Sequence, residues 1–327
     1  MNDTKILPFC DKPFSTMYNN YSFPIGIIQG NHSNNVDPWA YGKYINCLYH
    51  SGFGYHLGKY SDVWKTHNDY VQIVNRKYGI IPLSKKIEHM KRLINEGYYI
   101  MIVLDEYYIP GMAVYQKWCF LHDSLLIGYN DEKHVFYLYG RFADQNMHIS
   151  EVPYNCIEKA ISKGSWSFVL KYEPKENEQL DISLIRTELS HYLYSSPSAK
   201  KGHGTKYGIQ AVLSLCKHLI KQYRETAHMD YKLTRGLMEQ KSLMYNLCQY
   251  LNNNGYPLPE EVLRLSKSAS DSASIIHILT LKSIMNPVHN DSISKRLSNQ
   301  FSRLVDAEKE YIPILLNCLH DQKVAQL

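Results

Sequence analysis

The sequence lacks the long apolar runs that mark membrane proteins. The longest such run in its 327 residues, Tyr98–Leu104, has the length of a β-strand and falls far short of the roughly 18–20 residues of a membrane-spanning helix. The residues after Met1 reach Pro8 without the apolar core, about 7–15 residues long, of a secretory signal peptide. We therefore expect a soluble, cytoplasmic protein with no membrane partner.

Cysteine pairs with the spacing of a metal site are absent as well. The seven cysteines are odd in number and scattered along the chain, and no two of them form a CxxC pair. This pattern speaks against a disulfide framework and against a structural zinc site. We expect reduced thiols that mostly pack in the core, and we predict no metal ion and no resident cofactor.

An excess of one charge is also missing. The 36 Lys and Arg residues against 31 Asp and Glu residues leave a net charge of +5, too little to indicate a nucleic-acid-binding protein. The glycine-rich segment 51–56 has no GK[ST] sequence and follows no strand, so it does not have the pattern of a phosphate-binding loop. Its neighbours His50 and His56 lack a third metal ligand, and we interpret them as loop histidines.

What the sequence does contain is enough apolar residues, 44%, to bury a real core. The first half alternates helix and strand patterns. The predicted elements are helices at Pro24–Gln29, Pro38–Tyr49 and Lys85–Asn95, and strands at Tyr98–Asp105, Trp118–Tyr129, His134–Tyr139 and Ser165–Tyr172.

Beyond the polar segment Glu173–Glu178 the periodicity becomes helical throughout. Apolar residues recur at i, i+3 and i+4 in Ile182–Leu193, Gly208–Gln222, Thr234–Asn252, Pro259–Ser266, Ala273–Met285 and Lys295–Glu310. We therefore predict an α+β protein with an N-terminal domain over residues 1–173 and an all-helical domain over residues 174–327.

Two segments carry residues suited to catalysis. Ser22 precedes Pro24, a residue that favours the first turn of a helix. Unpaired N–H groups and the helix dipole at such a start stabilise an anionic nucleophile or an oxyanion. About a hundred residues later, His122 lies near the start of a buried strand, and this order is typical of papain-like enzymes. Taken singly, Ser22 is equally well a helix N-cap, and His122 a half-buried strand histidine.

Both segments resemble those of a known family. Ser22-Phe23-Pro24, followed by an apolar helix, is similar to the Cys-Gly-Pro-Ala start of the papain-like bacteriocin-processing peptidases. The run His122–Asn130 resembles their histidine strand, with apolar residues, Gly-Tyr and a turn after the histidine. Lys206–Ile209 and Leu237–Tyr245 resemble the helical part of proteins from natural-product, peptide-antibiotic gene clusters, such as the butirosin acyltransferase and the closthioamide amide synthetase.

The resemblance implies a papain-like catalytic domain over residues 1–173, with the helical domain covering its cleft, and an acyltransferase or amide synthetase activity. Ser22 would take an acyl group from a thioester on the phosphopantetheine arm of an acyl or peptidyl carrier protein, and an amine acceptor would resolve the acyl-enzyme to an amide. His122 would deprotonate the nucleophile and handle the proton of the amine. Backbone N–H groups at Ser22 would hold the oxyanion, with Asn19 or Asn20 as candidate side-chain donors.

The nucleophile segment departs from the family pattern. The family has Cys where the register anchored on Pro24 gives Ser22 here, and a shifted register gives Tyr21, which cannot serve in that role. Thr16 and Met17 occupy the stretch where the family has its oxyanion Gln. Cys10 is a second candidate nucleophile, although no apolar helix follows it.

The third catalytic residue is also out of place. In the family it is usually an Asp at the end of the strand after the histidine, which falls near Leu138–Arg141, where there is no carboxylate. Asp144 is the nearest acid downstream. Asp123 adjoins His122, but the alternation of side chains along a strand predicts that it points to the opposite face.

Three functions stay open on these grounds. Acyl transfer to an amine is favoured. A hydrolase would use the same residues with water as the acceptor, and an inactive papain-like scaffold that binds a carrier protein or peptide is consistent with the missing Cys, Gln and acid. The basic loop Lys200–Lys206 could contact a phosphopantetheine arm or an acidic carrier, and tyrosines around both segments suit aromatic or amphipathic acyl groups.

Overall fold

The structure is a computed structural model, and the residues that it describes are 4–31, 37–58, 71–74, 86–144, 146–161, 167–174, 180–198, 202–227, 229–286, 288 and 290–321. They divide into two units. The first is drawn from Met1–Asn35 and Asp62–Glu176, and the second from Val36–Ser61 and Asn177–Leu327.

The chain alternates strands and helices up to Tyr172 and is mainly helical after it. The strands are β1 (Thr4–Ile6), β2 (Cys47–His50), β3 (Gly54–Leu57), β4 (Val71–Val74), β5 (Tyr98–Asp105), β6 (Leu121–Asn130), β7 (Val135–Arg141), β8 (Met147–Pro153), β9 (Ser167–Tyr172) and β10 (Lys206–Tyr207). The helices are α1 (Asn19–Asn31), α2 (Asp37–Lys43), α3 (Lys86–Asn95), α4 (Tyr154–Ala160), α5 (Ile182–Leu193), α6 (Gly208–Thr226), α7 (Tyr231–Asn253), α8 (Glu260–Met285) and α9 (Asp291–Asp321).

The first unit is built on an antiparallel sheet with the strand order β4-β9-β5-β6-β7-β8, and β1 pairs with the far end of β6. Strand β5 has a neighbour on each side, and all of its residues from Tyr99 to Asp105 are buried. This burial accounts for its nearly continuous apolar sequence, because a strand covered on both faces has no solvent-facing positions. The mixed α and β composition expected for this half of the chain is confirmed.

The strands predicted in the first half are confirmed as β5, β6, β7 and β9, and the helix before them as α3. Apolar residues at helical spacing bury one face of α3, namely Ile87, Met90, Leu93 and Ile94. Gly97 follows the helix with a φ of +86°, a conformation that glycine adopts without steric cost. Lys85 and Ser165, the first residues of two predicted elements, lie outside the described residues.

Helix α1 begins earlier than predicted. The sequence placed its start at Pro24, whereas the helix begins at Asn19 and Pro24 is its sixth residue. The proline ring removes the N–H that would bond to the Asn20 carbonyl, which costs a helix interior roughly 3 kcal/mol. Phe23 and Ile25, on either side of the proline, are fully buried. Burial of apolar side chains, worth about 1.5–3 kcal/mol each, offsets that cost.

The prediction of a helix over Pro38–Tyr49 is wrong in its second part. Helix α2 ends at Lys43, and Cys47–His50 forms strand β2. This strand pairs antiparallel with β3 on one edge and with β10, at residues 206–207, on the other. Strand β3 follows β2 closely in the sequence, but β10 lies more than 150 residues away, so only one of the two pairings is local.

The same pairing changes the domain boundaries. The predicted division after residue 173 lies close to the break between the two units at Glu176, but residues 36–61 group with the C-terminal helices and not with the first unit. The second unit is therefore discontinuous in sequence and carries a small three-stranded sheet, β10-β2-β3, beside its helices. The prediction that residues 174–327 are all helical is wrong at β10, which pairs with β2.

The helices predicted in the second half are confirmed, with one difference. Pro259–Ser266 and Ala273–Met285 are parts of a single helix, α8, whose intervening residues continue the helical backbone. The segment between them is rich in Ser and Ala, and small residues of this kind hide the apolar periodicity without breaking a helix. Across the described residues, none of the helices is long and apolar enough to cross a membrane.

A buried ion pair joins three helices of the second unit. The Lys241 Nζ on α7 lies 2.8 Å from the Glu308 Oε1 on α9, and both side chains are almost completely buried. The Nζ also donates a hydrogen bond to the Tyr192 hydroxyl on α5, which in turn donates to Glu308 Oε2. Each charged group thus has its partners, as buried charges must.

The second unit also holds a buried histidine, His277 on α8. Its Nδ1 lies 3.0 Å from the Thr234 Oγ1 on α7. Burial lowers the pKa of His277 from 6.5 to about 4, and the positive charge of Arg235 acts in the same direction. The folded state therefore holds this ring neutral at a pH at which the unfolded chain protonates it.

We predict that His277 makes the second unit sensitive to acid. Because its pKa is lower in the folded state, its contribution to stability is complete above pH 6.5 and is lost as the pH falls towards 4. Between pH 7.5 and pH 5 the free energy of unfolding should fall by about 2 kcal/mol from this group. Urea unfolding followed by circular dichroism at both pH values measures the fall.

The variant His277→Gln should lack this pH-dependent fall in the free energy of unfolding. The variant His203→Gln, which changes an exposed histidine, should keep it. An equal loss of stability between the two pH values in His277→Gln and in the unchanged protein would contradict the assignment.

Candidate active site

The pairing of β5 with β6 brings Glu106 next to His122. The register runs from Ile100 opposite Leu126 to Asp105 opposite Leu121. Glu106 directly follows β5, and its backbone N–H donates to the Phe120 carbonyl at 2.9 Å, which extends the ladder by one more residue. The Glu106 side chain therefore starts beside the first residues of β6.

His122 and Glu106 form a hydrogen-bonded pair. The His122 Nδ1 lies 2.8 Å from the Glu106 Oε1. The glutamate side chain is 7% exposed, whereas 32% of the histidine side chain is exposed. Because an ionised carboxylate only accepts hydrogen bonds, we infer that Nδ1 carries the proton of the neutral ring and that Nε2 keeps its lone pair. The pair thus consists of a buried acid that orients a ring with a basic nitrogen.

Asp123 lies on the other side of the ring. Its Oδ1 is 3.7 Å from the His122 Nε2, within the range of an ion pair although too long for a hydrogen bond. The prediction that Asp123 points away from His122 is wrong in this respect. Strand alternation fixes the direction of the Cβ atom, and at the partly exposed start of β6 the side chain is free to turn back.

Asp105 closes the loop that separates β5 from β6. Its Oδ1 accepts hydrogen bonds from the Tyr107 N–H at 3.1 Å and from the Phe120 N–H at 3.0 Å, one at each end of the loop. Partial burial raises the pKa of the Asp105 carboxyl, but the bonds from the Cys119 thiol and the two N–H groups outweigh it and lower the pKa. Ionised Asp105 therefore holds Glu106 at a fixed position.

Part of the loop is buried and bonded to the residues after β7. Ile109, Met112 and Val114 are buried, and the Gly111 carbonyl accepts a hydrogen bond from the Ala143 N–H at 2.9 Å. Glu106 and His122 thus flank a loop that is anchored within the first unit.

Ser22 lies elsewhere. It is the fourth residue of α1 and is fully buried; its hydroxyl donates to the Asn19 carbonyl at 3.4 Å, and its backbone N–H bonds to the Tyr18 carbonyl. The Ser22 hydroxyl also neighbours that of Tyr139, whose pKa burial raises. Tyr139 is paired with Leu125, three residues and roughly 10 Å along β6 from His122.

In the described part of the chain, Ser22 and His122 share no hydrogen bond: the Ser22 hydroxyl is bonded to the Asn19 carbonyl and the His122 Nδ1 to Glu106. The predicted oxyanion donors at Ser22 are corrected too. The expectation of free N–H groups there depended on a helix that starts at Pro24, and the earlier start of α1 uses the Ser22 N–H within the helix.

Asn19 is the residue of α1 that reaches the histidine strand. Its Nδ2 donates to the Asp123 carbonyl at 2.8 Å, so this amide links the start of the helix to the residue after His122. The next residue, Asn20, has a buried Oδ1 with no hydrogen-bond partner in the described part of the chain. Of the two candidate oxyanion donors, Asn19 thus already donates one of its two amide hydrogens to the backbone of β6.

The remaining sequence candidates lie away from the histidine. Asp144 accepts hydrogen bonds from Asn146 and lies 3.8 Å from the His148 Nδ1, so it does not orient His122. Cys10 bonds through its backbone N–H to the Gly26 carbonyl of α1. In the described ranges no group of three His, Cys, Asp or Glu side chains could hold a metal ion. Lys200 and Lys201 lie outside these ranges.

Glu106 is the functional candidate that the sequence reasoning missed. The search for an acid followed the family pattern, which looks downstream of the histidine, whereas Glu106 precedes it by 16 residues. A signal was present, because Glu106 directly follows a predicted strand, and an antiparallel partner strand would return next to it.

Comparisons with known proteins add no assignment. No family model matches the sequence, and no curated protein matches it.

We predict that Asp105 controls the order of the loop. In Asp105→Ala the Tyr107 and Phe120 N–H groups lose their acceptor, and we expect their hydrogen exchange to become at least about tenfold faster, equivalent to about 1.4 kcal/mol of local stability. Asp105→Asn keeps the accepting oxygen and should retain most of the protection. Amide exchange measured by NMR separates the two variants.

The matched control is Asp181→Ala, which removes a similar side-chain cap from the N-terminus of α5. Fast exchange at Leu184 alone is expected there. Unchanged protection at residues 107 and 120 in Asp105→Ala would show that the loop closes without this carboxylate.

Proposed function

We propose that the chain is an acyltransferase that forms an amide, with His122 as the general base and Glu106 as the carboxylate that orients it. The observation that carries the proposal is the 2.8 Å contact between the His122 Nδ1 and the buried Glu106 carboxylate. A half-exposed imidazole with a buried acid behind it is the arrangement that enzymes use to move protons at neutral pH.

The substrate class comes from the resemblance to papain-like proteins of natural-product gene clusters. It assigns an acyl thioester on the phosphopantetheine arm of a carrier protein as the donor and an amine as the acceptor. A papain-like fold for the first unit is part of the same proposal. Its support is the order of a helix (α1) ahead of an antiparallel sheet whose strand β6 carries the histidine.

The burial of Ser22 favours direct transfer over an acyl-enzyme. In this route the amine nitrogen attacks the thioester carbonyl, and the His122 Nε2 takes the proton that the nitrogen loses. The tetrahedral intermediate then expels the thiolate, which receives that proton from His122, so the C–N bond forms as the C–S bond breaks. Glu106 holds the ring throughout, and the carboxylate of Asp123 stabilises the imidazolium that forms between the two steps.

The second candidate is a catalytically inactive scaffold that binds a carrier protein or peptide. The observation in its favour is the same burial of Ser22, whose hydroxyl is fully enclosed and bonded to its own helix. If the protein descends from enzymes with a nucleophile at the helix start, this site has lost it. The two candidates differ in whether the His122–Glu106 pair moves a proton.

Kinetics of amide formation test the proposal. The donor is an acyl-coenzyme A, which carries the phosphopantetheine arm, and hydroxylamine serves as a small amine that yields a hydroxamate. We expect His122→Ala to lower the enzymatic rate by about 100-fold or more, because a positioned base contributes roughly 10²–10⁴-fold. Glu106→Gln should lower it by about tenfold or more, and Ser22→Ala should stay within about twofold.

Matched controls lie on β8. His148→Ala and Glu151→Gln remove a histidine and a glutamate that are each about 40% exposed and do not contact His122. If Ser22→Ala lowers the rate as much as His122→Ala does, the reaction proceeds through an acyl-enzyme on Ser22 and not by direct transfer. A rate that is the same in the unchanged protein and in His122→Ala would contradict catalysis and favour the scaffold.

A further inference from the structure

Apolar side chains are exposed in a continuous run just before His122. Trp118, Phe120 and Leu121 are 58%, 45% and 43% exposed, and Cys119 between them is exposed as well. Tyr108, at the other end of the same loop, is also exposed. Large apolar side chains that are exposed so close together in the sequence point to a place where something binds. We call Tyr108, Trp118, Phe120 and Leu121 the apolar rim.

Poor packing of the loop does not explain the exposure. Three other apolar side chains of the loop, Ile109, Met112 and Val114, are buried, so the loop is not exposed throughout. Phe120 is held on both sides of its peptide unit, by the bond from its N–H to Asp105 and by the bond from the Glu106 N–H to its carbonyl. The rim is therefore presented to solvent on a fixed backbone.

The rim adjoins the reacting group. The centroids of the Phe120 and His122 rings are 5.5 Å apart. Three residues lie between Trp118 and His122, so the two Cα atoms are at most about 14 Å apart along an extended chain. A ligand that lies along the rim would thus place one end next to the His122 ring.

Few charged side chains lie along the rim. Apart from Glu106, which is buried against His122, the only charged residue in the sequence from Glu106 to Leu121 is Lys117. Within the sequence from Trp118 to Leu121 a charged head group would therefore find one neighbouring lysine and no carboxylate; the Asp123 carboxylate lies at the far end, beside the His122 ring. An apolar chain, in contrast, gains about 0.8 kcal/mol for each CH₂ group that it buries completely.

We infer that the apolar rim binds the acyl chain of the donor, so that the site takes medium-length or aromatic apolar acyl groups and not acetyl or charged ones. This inference rests on the proposed function, which puts the thioester carbonyl at His122 and leaves the acyl chain to extend along Phe120 towards Trp118. Trp118 and Phe120 are then the specificity-determining residues.

Binding of inert analogues tests the inference separately from catalysis. The probes are N-(2-acetamidoethyl) amides of acetic, hexanoic and decanoic acid, which copy the thioester but cannot transfer the acyl group. Calorimetry is performed on the unchanged protein and on His122→Ala. We expect affinity to rise about twofold per added CH₂ group, half of the effect of full burial because the rim covers one side of the chain.

Variants of the rim should act on long chains only. Trp118→Ala and Phe120→Ala should each weaken decanoyl binding by about tenfold and leave the acetyl analogue unchanged. The control is Phe53→Ala, which removes an exposed phenylalanine, 61% exposed, from the hairpin β2–β3 of the second unit. Because these side chains are exposed, the variants should keep the melting temperature of the unchanged protein.

The results distinguish this inference from the proposed function. Chain-length-dependent binding in His122→Ala, together with no amide formation by any form, would uphold the rim and refute the enzyme. Amide formation at equal efficiency for acetyl and decanoyl donors would uphold the enzyme and refute the rim.

Two further outcomes would overturn the inference. One is the absence of binding by every analogue. The other is a dimer of the unchanged protein, seen by analytical ultracentrifugation, that Trp118→Ala dissociates while decanoyl binding is absent, since the rim would then be a contact between two copies of the chain.

Discussion

The antiparallel pairing of β5 with β6 is the constraint on which the candidate site depends. It returns the chain, after an excursion of 14 residues, to the point at which Glu106 leaves β5, and so sets a buried carboxylate against the Nδ1 of His122. Asp105 accepts an N–H from each end of the excursion and keeps the two strands together there. The acid, the base and the exposed apolar residues beside them are thus consequences of one strand pairing and the loop that it closes.

This arrangement changes how acyl transfer would proceed. A serine at the helix start would be acylated first, but Ser22 lies one turn inside α1 with its hydroxyl enclosed. A base alone is sufficient when the acceptor is an amine, because the amine is itself a nucleophile once its proton is removed. Asn19 supports the frame by tying the start of α1 to the backbone of Asp123. In the proposed reaction the helix would therefore position the histidine strand and would not supply the attacking atom.

Much of the fold could be predicted from local pattern, and the errors have identifiable causes. The run Tyr98–Asp105, the hairpin after it and the long amphipathic helices are strong periodic signals, and each is present in the structure. The start of α1 was predicted wrongly because a proline normally lies in the first turn of a helix. Here Pro24 lies inside the helix, where the burial of its neighbours offsets the cost. Strand β2 was missed because its apolar residues continue the helical spacing of α2, although β2 pairs with the nearby β3 as well as with the distant β10. His122 could be singled out by its position on a strand, whereas Glu106 became visible only through the pairing, which is a tertiary contact.

The central claim is that His122 offers a lone pair at Nε2 while Glu106 holds the proton at Nδ1. The tautomer of the neutral ring tests it most directly. Long-range ¹H–¹⁵N correlation NMR on protein labelled with ¹⁵N-histidine, with His122→Gln to assign the signal, reports which ring nitrogen is protonated. The account predicts the Nδ1–H tautomer for His122. A ring that carries its proton on Nε2 would contradict it, because that nitrogen could then not accept a proton from the amine.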